Sequence, residues 1–268
     1  MDSRNKNILT HYNELLKIVR NFGRTKCIKD DYLGIVLVSF FQRFLEHSKS
    51  VHSLSKSRDH LLIARSIIEG GLILKWILQP NDMTIQNERA EDYLVLSKFL
   101  ARYQRVCAMG DKADPKYKEA LRAELLKDGY RLTKSLYKNI ESGLPLPFDA
   151  YVKMLTGMSL KKLIETIDSL DPDIYYRNYG YMSGFHHWNS FYMSIKYANG
   201  QSTYGGETDK EAEYELSAMT ALFVFAETAK QLSQHYQLEK EEKIKDIVLG
   251  LVKSLGKRNR KKKRTSVK

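Results

Sequence analysis

Residues 32–46 read YLGIVLVSFFQRFLE, and the first ten of them form the most apolar stretch of the chain. The ten residues from Tyr32 to Phe41 are apolar on all sides, which suits either a buried strand or a buried helix. Continuation of the pattern through residues 43–46 favours the helix, and Asp30 and Asp31 are suitable residues to begin it. We therefore predict a central α-helix, surrounded by other helices.

Apolar residues recur at helical spacing on both sides of this segment. Four of the five prolines fall between the helical patterns, and glycines at 200, 205 and 206 indicate a long polar loop. The sequence thus predicts an all-α, irregular multi-helix bundle, a single helical domain over residues 1–256. The other predicted helices span about 7–22, 58–79, 84–109, 115–140, 209–236 and 238–255, and two more begin at Ser159 and Asp171.

The net charge of +12 is concentrated at the C-terminus. Residues 257–268 contain eight basic and no acidic residues, which leaves +4 for residues 1–256. Such a run repels itself, so we expect a disordered tail when it is free, and its cations suit contact with phosphates. A solubilising terminus and an anionic membrane surface are the alternatives. The candidate nucleic-acid-binding residues are Lys257, Arg258, Arg260, Lys261, Lys262, Lys263 and Arg264.

The first residues lack the apolar run of a secretory signal, and no apolar stretch is long and uncharged enough to span a bilayer. Cys27 and Cys107 have no neighbouring ligands at zinc spacing, so we expect both to be small buried residues. These features predict a cytoplasmic protein with no metal site and no cofactor. Phosphate loops, dinucleotide fingerprints and nucleophile elbows are also missing from the sequence.

Two patterns contain residues suited to chemistry. Arg65 and Glu69 lie four residues apart in an apolar helix, where they share one face and can pair. A partly exposed salt bridge and a functional site are both open interpretations of this pair.

The second pattern is an aromatic segment over residues 175–188. On a helix, Tyr179, Ser183 and His187 line one face, placing a phenol, a hydroxyl and an imidazole together. An imidazole can act as a base near neutral pH, although a packed aromatic seam with a structural histidine explains the same pattern. His186 points about 100° away from His187, so the two are a poor pair for one metal ion.

Four segments together resemble a bacterial family catalogued as domain of unknown function 5677. The similarity covers about residues 61–197. Its motifs are the Arg65 and Glu69 helix, the run at residues 88–94, the run at residues 159–163, and the Tyr-x-x-x-Ser-x-x-x-His pattern that ends at His187.

The last motif is also similar in style to the Arg-x-x-x-x-His helices of the HEPN superfamily, which includes metal-independent ribonucleases of toxins and phage defence. The resemblance implies His187 as base or acid, Arg65 as the phosphate-stabilising cation, Glu69 as its orienter, and Tyr179 with Ser183 as support. The sequence departs from the HEPN pattern, because Ser183 rather than an arginine precedes His187 and Arg177 is ten residues away.

We therefore expect an RNA-directed, HEPN-like ribonuclease or a toxin or phage-defence component, and the resemblance also suggests a homodimer. One alternative is a non-catalytic nucleic-acid-binding or protein-binding module in which the same residues form a structural network. Another is a pocket that recognises a nucleotide or small metabolite without catalysis.

Overall fold

The computed structural model describes residues 3–109, 112, 114–127, 147–167, 178–180, 182, 195–198, 201–204 and 207–265. The protein is all-α, as the sequence predicted. The helices are α1 Ser3–Val19, α2 Tyr32–Ser53, α3 Asp59–Leu78, α4 Met83–Ala108, α5 Pro115–Lys127, α6 Phe148–Thr156, α7 Leu160–Thr166, α8 Glu207–His235 and α9 Glu241–Thr265, with a 3-10 turn at Phe22–Arg24.

The central segment is a helix, α2, rather than a strand. Its first turn is capped by Asp31, whose Oδ1 accepts a hydrogen bond of 2.9 Å from the Gly34 amide. Helix α8 packs along α2, and the Phe41 and Phe225 ring centroids lie 5.3 Å apart in the core between them. The all-round apolar pattern of residues 32–46 therefore reflects burial of a helix.

Helix α1 packs against α8 and α9. Its buried side chains include Ile8 and Leu15, and polar contacts from its first two turns reach both neighbouring helices. Arg4 Nη1 lies 3.3 Å from Glu215 on α8, and Asn7 Nδ2 donates to Ser254 Oγ on α9 at 3.1 Å.

The chain divides into two compact units, residues 1–71 with 173–268 and residues 72–172. Helix α3 begins in the first and ends in the second. Compact units do not decide whether each folds alone, so the single helical domain over residues 1–256 stays a prediction.

Two predicted helix starts lie in the second unit and are confirmed. Asp114 Oδ1 accepts from the Lys116 amide at 2.9 Å, with Pro115 as the first residue of α5. Ser159 Oγ accepts from the Lys162 amide at 3.2 Å and caps α7.

Two elements were not predicted. Helix α6 has nine residues, begins after Pro147 and ends at Gly157, which has a φ of 71°. Strands β1 Ile195–Ala198 and β2 Gln201–Tyr204 form an antiparallel pair in which Ile195 opposes Tyr204, within the segment that we expected to be a polar loop. The missed signal is Asn199-Gly200, since Asn-Gly between short strands favours a tight hairpin.

Three further expectations need correction or qualification. Cys27 is exposed rather than buried, because it precedes α2 in a connecting segment. Helix α9 continues to Thr265, nine residues beyond Gly256, where the helix was expected to end. Lysine and arginine are good helix formers, and one internal glycine costs a helix only about 1 kcal/mol. The start of the helix predicted from Asp171 lies outside the described residues.

Candidate functional site

Arg65 and Glu69 lie one turn apart on α3 and form an ion pair. Arg65 Nε donates to Glu69 Oε1 at 3.0 Å, and the two side chains retain 17% and 22% of their exposure. The pair is therefore neither fully buried nor freely solvated. Partial burial strengthens the attraction and still leaves the guanidinium accessible to an anion.

Tyr179 completes this arrangement from a distant part of the chain. Its hydroxyl donates to Glu69 Oε1 at 3.0 Å and accepts from Arg65 Nη2 at 3.3 Å. The guanidinium carbon also lies 5.3 Å from the centroid of the Tyr179 ring, within cation–π distance. Arg65, Glu69 and Tyr179 thus form a mutually hydrogen-bonded cluster, called the Arg65 cluster below.

Apolar packing places Tyr179 beside α3. Residues 178–180 and Met182 are helical, and the Met182 side chain is fully buried against Leu61 and Ala64 of α3. Ile68 lies at the edge of the same apolar contact. Helix α3 therefore presents apolar residues to Met182, and the neighbouring Arg65 and Glu69 meet the tyrosine.

The cluster keeps its charges well defined near neutral pH. Burial raises the pKa of Tyr179 to about 12, and the neighbouring Glu69 carboxylate adds to the shift, so the phenol stays protonated. Burial alone would lower the pKa of Arg65, but Tyr179 and Glu69 outweigh it and raise the pKa above its ordinary value. The site consequently offers a permanent cation and a neutral hydroxyl.

The Arg65 cluster can hold an anion in a fixed position. A guanidinium has five N–H donors, and Glu69 and Tyr179 use one each of those on Arg65. The two contacts restrict the rotation of the side chain, which lowers the entropy lost when an oxyanion binds. Arginine suits phosphate in particular, because its planar donors match two phosphate oxygens.

The structure brings together three of the five predicted catalytic residues: Arg65, Glu69 and Tyr179. Ser183 and His187 lie outside the described residues, so their positions relative to the cluster stay predictions. The basic residues proposed for nucleic-acid binding follow Gly256 on the backbone of α9, and their side chains also lie outside the described part.

Sequence patterns missed a second polar cluster in the first unit. Arg58 Nε and Glu213 Oε2 form an ion pair at 2.7 Å, with both side chains only 8% exposed. Nearby, the Tyr214 ring contacts the rings of His52 and His60. Since these partners lie about 150 residues apart along the chain, no local spacing could have revealed them.

A third polar group joins the start of α2 to the end of α8. His235 Nε2 lies 2.9 Å from Asp31 Oδ2, and the Tyr236 hydroxyl donates to the same carboxylate at 3.2 Å. Hydrogen bonding to His235 and to the Gly34 amide outweighs the burial of Asp31 and lowers its pKa. Because Asp31 also caps α2, this group is suited to fixing two helix ends.

Within the described ranges, no group of three or more histidine, cysteine, aspartate or glutamate side chains could hold a metal ion, and no helix is long and apolar enough to cross a membrane. No protein-family model matches the sequence, and neither a curated protein nor a solved structure matches it significantly. The resemblances to domain of unknown function 5677 and to HEPN proteins therefore stay predictions.

Proposed function

We propose that this protein is an RNA-directed, metal-independent ribonuclease of the HEPN-like type, in which Arg65 binds the scissile phosphate. The observation that carries the proposal is the Arg65 cluster. It couples a half-buried, oriented cation to Tyr179, the first residue of the Tyr179, Ser183 and His187 pattern. Continuation of the helical pattern beyond Met182 would bring Ser183 and His187 to the same face as Tyr179.

The proposed chemistry needs no metal ion, cofactor or external reagent. His187 removes the proton from a ribose 2′-hydroxyl, and the 2′-oxygen attacks the adjacent phosphorus. The bond from phosphorus to the 5′-oxygen breaks, and that oxygen takes up a proton from a general acid. The products are a 2′,3′-cyclic phosphate and a 5′-hydroxyl. Arg65 stabilises the charge that develops on the phosphate oxygens.

The other residues support Arg65 and His187. Glu69 orients the guanidinium by accepting a hydrogen bond from Nε. The Tyr179 hydroxyl restrains the same group by accepting a hydrogen bond from Nη2. Ser183 is proposed to help hold the imidazole. The basic residues 257–264 add sequence-independent affinity for the RNA backbone.

Cleavage of labelled RNA in the presence of EDTA tests this function. Wild-type protein should produce cyclic phosphate ends, and His187→Ala should remove the activity while the circular dichroism spectrum is unchanged. His186→Ala is the matched control and should retain most activity, because only His187 continues the predicted Tyr179 and Ser183 face. Equal activity of wild type and His187→Ala would show a contaminating nuclease and contradict the proposal.

One observation favours a second candidate, a non-catalytic RNA-binding module. Each member of the Arg65 cluster hydrogen-bonds the other two, as expected of a network that stabilises a fold. In that case wild-type protein binds RNA in a salt-dependent manner but produces no cyclic phosphate ends. Arg65→Ala would then change the free energy of unfolding more than it changes RNA affinity.

A further inference from the structure

A pair of polar atoms from different helices is buried where α1 meets α2. Tyr12 on α1 is only 3% exposed, and its ring centroid lies 4.4 Å from that of His52 on α2. Within the described residues, neither the Tyr12 hydroxyl nor His52 Nε2 has a hydrogen-bond partner. Both atoms are buried, so each loses bulk solvent without a protein group to replace it.

The hydrogen bond at His52 Nδ1 determines whether Nε2 needs a donor or an acceptor as its partner. His52 Nδ1 lies 2.7 Å from the Tyr214 hydroxyl. A neutral imidazole has one N–H donor and one acceptor nitrogen. If Tyr214 donates its proton to Nδ1, the ring proton sits on Nε2, which then requires an acceptor. The reverse arrangement would leave both the Tyr214 proton and the Nε2 lone pair without partners.

The surroundings of these two atoms suit a small, uncharged hydrogen-bonding partner. Burial lowers the pKa of His52 to about 4 and raises that of Tyr12, so both side chains are uncharged near neutral pH. Ser48 is fully buried one turn before His52 on the same face of α2, and its Oγ also has no partner in the described part of the chain. Charged residues nearby, Arg58 and Glu213, are paired with each other.

We propose that an ordered water molecule binds at this buried site, accepting a hydrogen bond from His52 Nε2 and bonding to the Tyr12 hydroxyl. Water fits because it can donate and accept at once, and internal waters typically make two to four such bonds to polar groups that lack protein partners. The water joins α1 to α2, and through His52 and Tyr214 it extends the hydrogen-bond chain to α8. The Arg65 cluster takes no part in this site.

A crystal structure at a resolution that shows ordered solvent is the direct test. The proposal predicts a water peak within hydrogen-bond distance of both Tyr12 Oη and His52 Nε2. Nitrogen-15 spectra of labelled histidine should show the His52 proton on Nε2. Absence of the peak, or a proton on Nδ1, overturns the proposal.

Tyr12→Phe gives a second, independent readout in solution. A bound water makes the hydroxyl favourable, so its removal should lower the urea midpoint of unfolding. An unpaired hydroxyl is unfavourable, so the midpoint would rise and contradict the proposal. Tyr117→Phe on α5 is the control: its hydroxyl accepts a solvent-exposed hydrogen bond from Arg102, which contributes little to stability, so the midpoint should be nearly unchanged.

Discussion

Glu69 is the residue on which the Arg65 cluster depends, because its Oε1 accepts from both Arg65 and Tyr179. Glu69→Ala leaves a half-buried cation with Tyr179 as its remaining partner among the residues that the structure describes. We expect the free energy of unfolding to fall by about 1–3 kcal/mol, less than the loss for a fully buried pair, since solvent reaches Arg65. Urea unfolding followed by circular dichroism measures this change.

The double variant Arg65→Ala with Glu69→Ala separates coupling from simple loss of two side chains. Its cost should be clearly smaller than the sum of the single costs, because the second substitution removes a charge that the first left unpaired. Glu165→Ala on α7 is the control: its pair with Lys161 has the same spacing but is exposed, and should contribute less than about 0.5 kcal/mol. Additive costs at positions 65 and 69 would show that the two side chains do not interact.

The first turn of α2 contains Gly34, a position with no room for a side chain. A Cβ at Gly34 would collide with Asp31 Oδ2 and with the Tyr236 hydroxyl. Gly34→Ala should therefore destabilise the protein by about 1–3 kcal/mol through crowding, although alanine is the better helix former. Thermal unfolding measures the effect.

Gly23→Ala provides the matched control for that prediction. The nearest atom to a Cβ at Gly23 would be Gln42 Nε2 at 3.8 Å, an ordinary contact. The control should change the unfolding temperature little. If the alanine at position 34 stabilises the protein as much as helix propensity alone predicts, the contacts between Asp31 and Tyr236 do not constrain α2.

Helices were predictable from sequence wherever their signals were local. The apolar run of α2, the aspartate caps at 31 and 114, and the serine cap at 159 all act within one turn, and each is observed. The short helix α6 and the β-hairpin were missed. Each is shorter than the window of about 11–18 residues over which apolar periodicity is assessed, and the end of α9 was misplaced because Gly256 does not stop a helix by itself.

The candidate site was predictable only in part for the same physical reason. Spacing of four residues indicated the Arg65 and Glu69 pair and the Tyr179 face separately. The contact of Tyr179 with Arg65 and Glu69 depends on the packing of Met182 against Leu61 and Ala64, which lie more than 100 residues away in the sequence. The polar cluster around Tyr214 depends wholly on such distant packing, so it had no signature in the sequence.

For the molecule as a whole, two buried histidines predict a defined loss of stability in mild acid. Burial lowers the pKa of both His52 and His60 to about 4, and an unfolded chain restores them to about 6.5. Below pH 6.5 the unfolded state therefore binds protons that the folded state does not. Above that pH the two groups leave stability unchanged, and stability should fall as the pH drops towards 4, by up to about 3 kcal/mol for each group.

Urea unfolding at half-unit pH steps measures this dependence. His60→Gln should reduce the slope between pH 6.5 and 4 by up to one proton, while the region from pH 7 to 8 serves as the internal control. A flat profile down to pH 4.5 would contradict burial of the two imidazoles in their neutral form.

The charge of the whole molecule is dominated by its last residues. Deletion of residues 257–268 removes eight cations without removing a core side chain described in the structure, so the unfolding temperature should change little. If these residues bind RNA phosphates, deletion should reduce the magnitude of the log K against log salt slope by about 0.7 for each lost contact with a single strand. An unchanged affinity and slope would assign binding to residues 1–256.

The rate of RNA cleavage by Arg65→Ala in EDTA is the most direct test of the central claim that the Arg65 cluster binds the scissile phosphate. The account predicts that the wild type forms 2′,3′-cyclic phosphate ends and that Arg65→Ala forms them roughly 100-fold more slowly or worse, as for loss of a charge-stabilising donor. Arg65→Lys should recover only part of the rate, because lysine cannot hold Glu69 and phosphate with one planar group. A folded Arg65→Ala protein that cleaves RNA at the wild-type rate would contradict the claim.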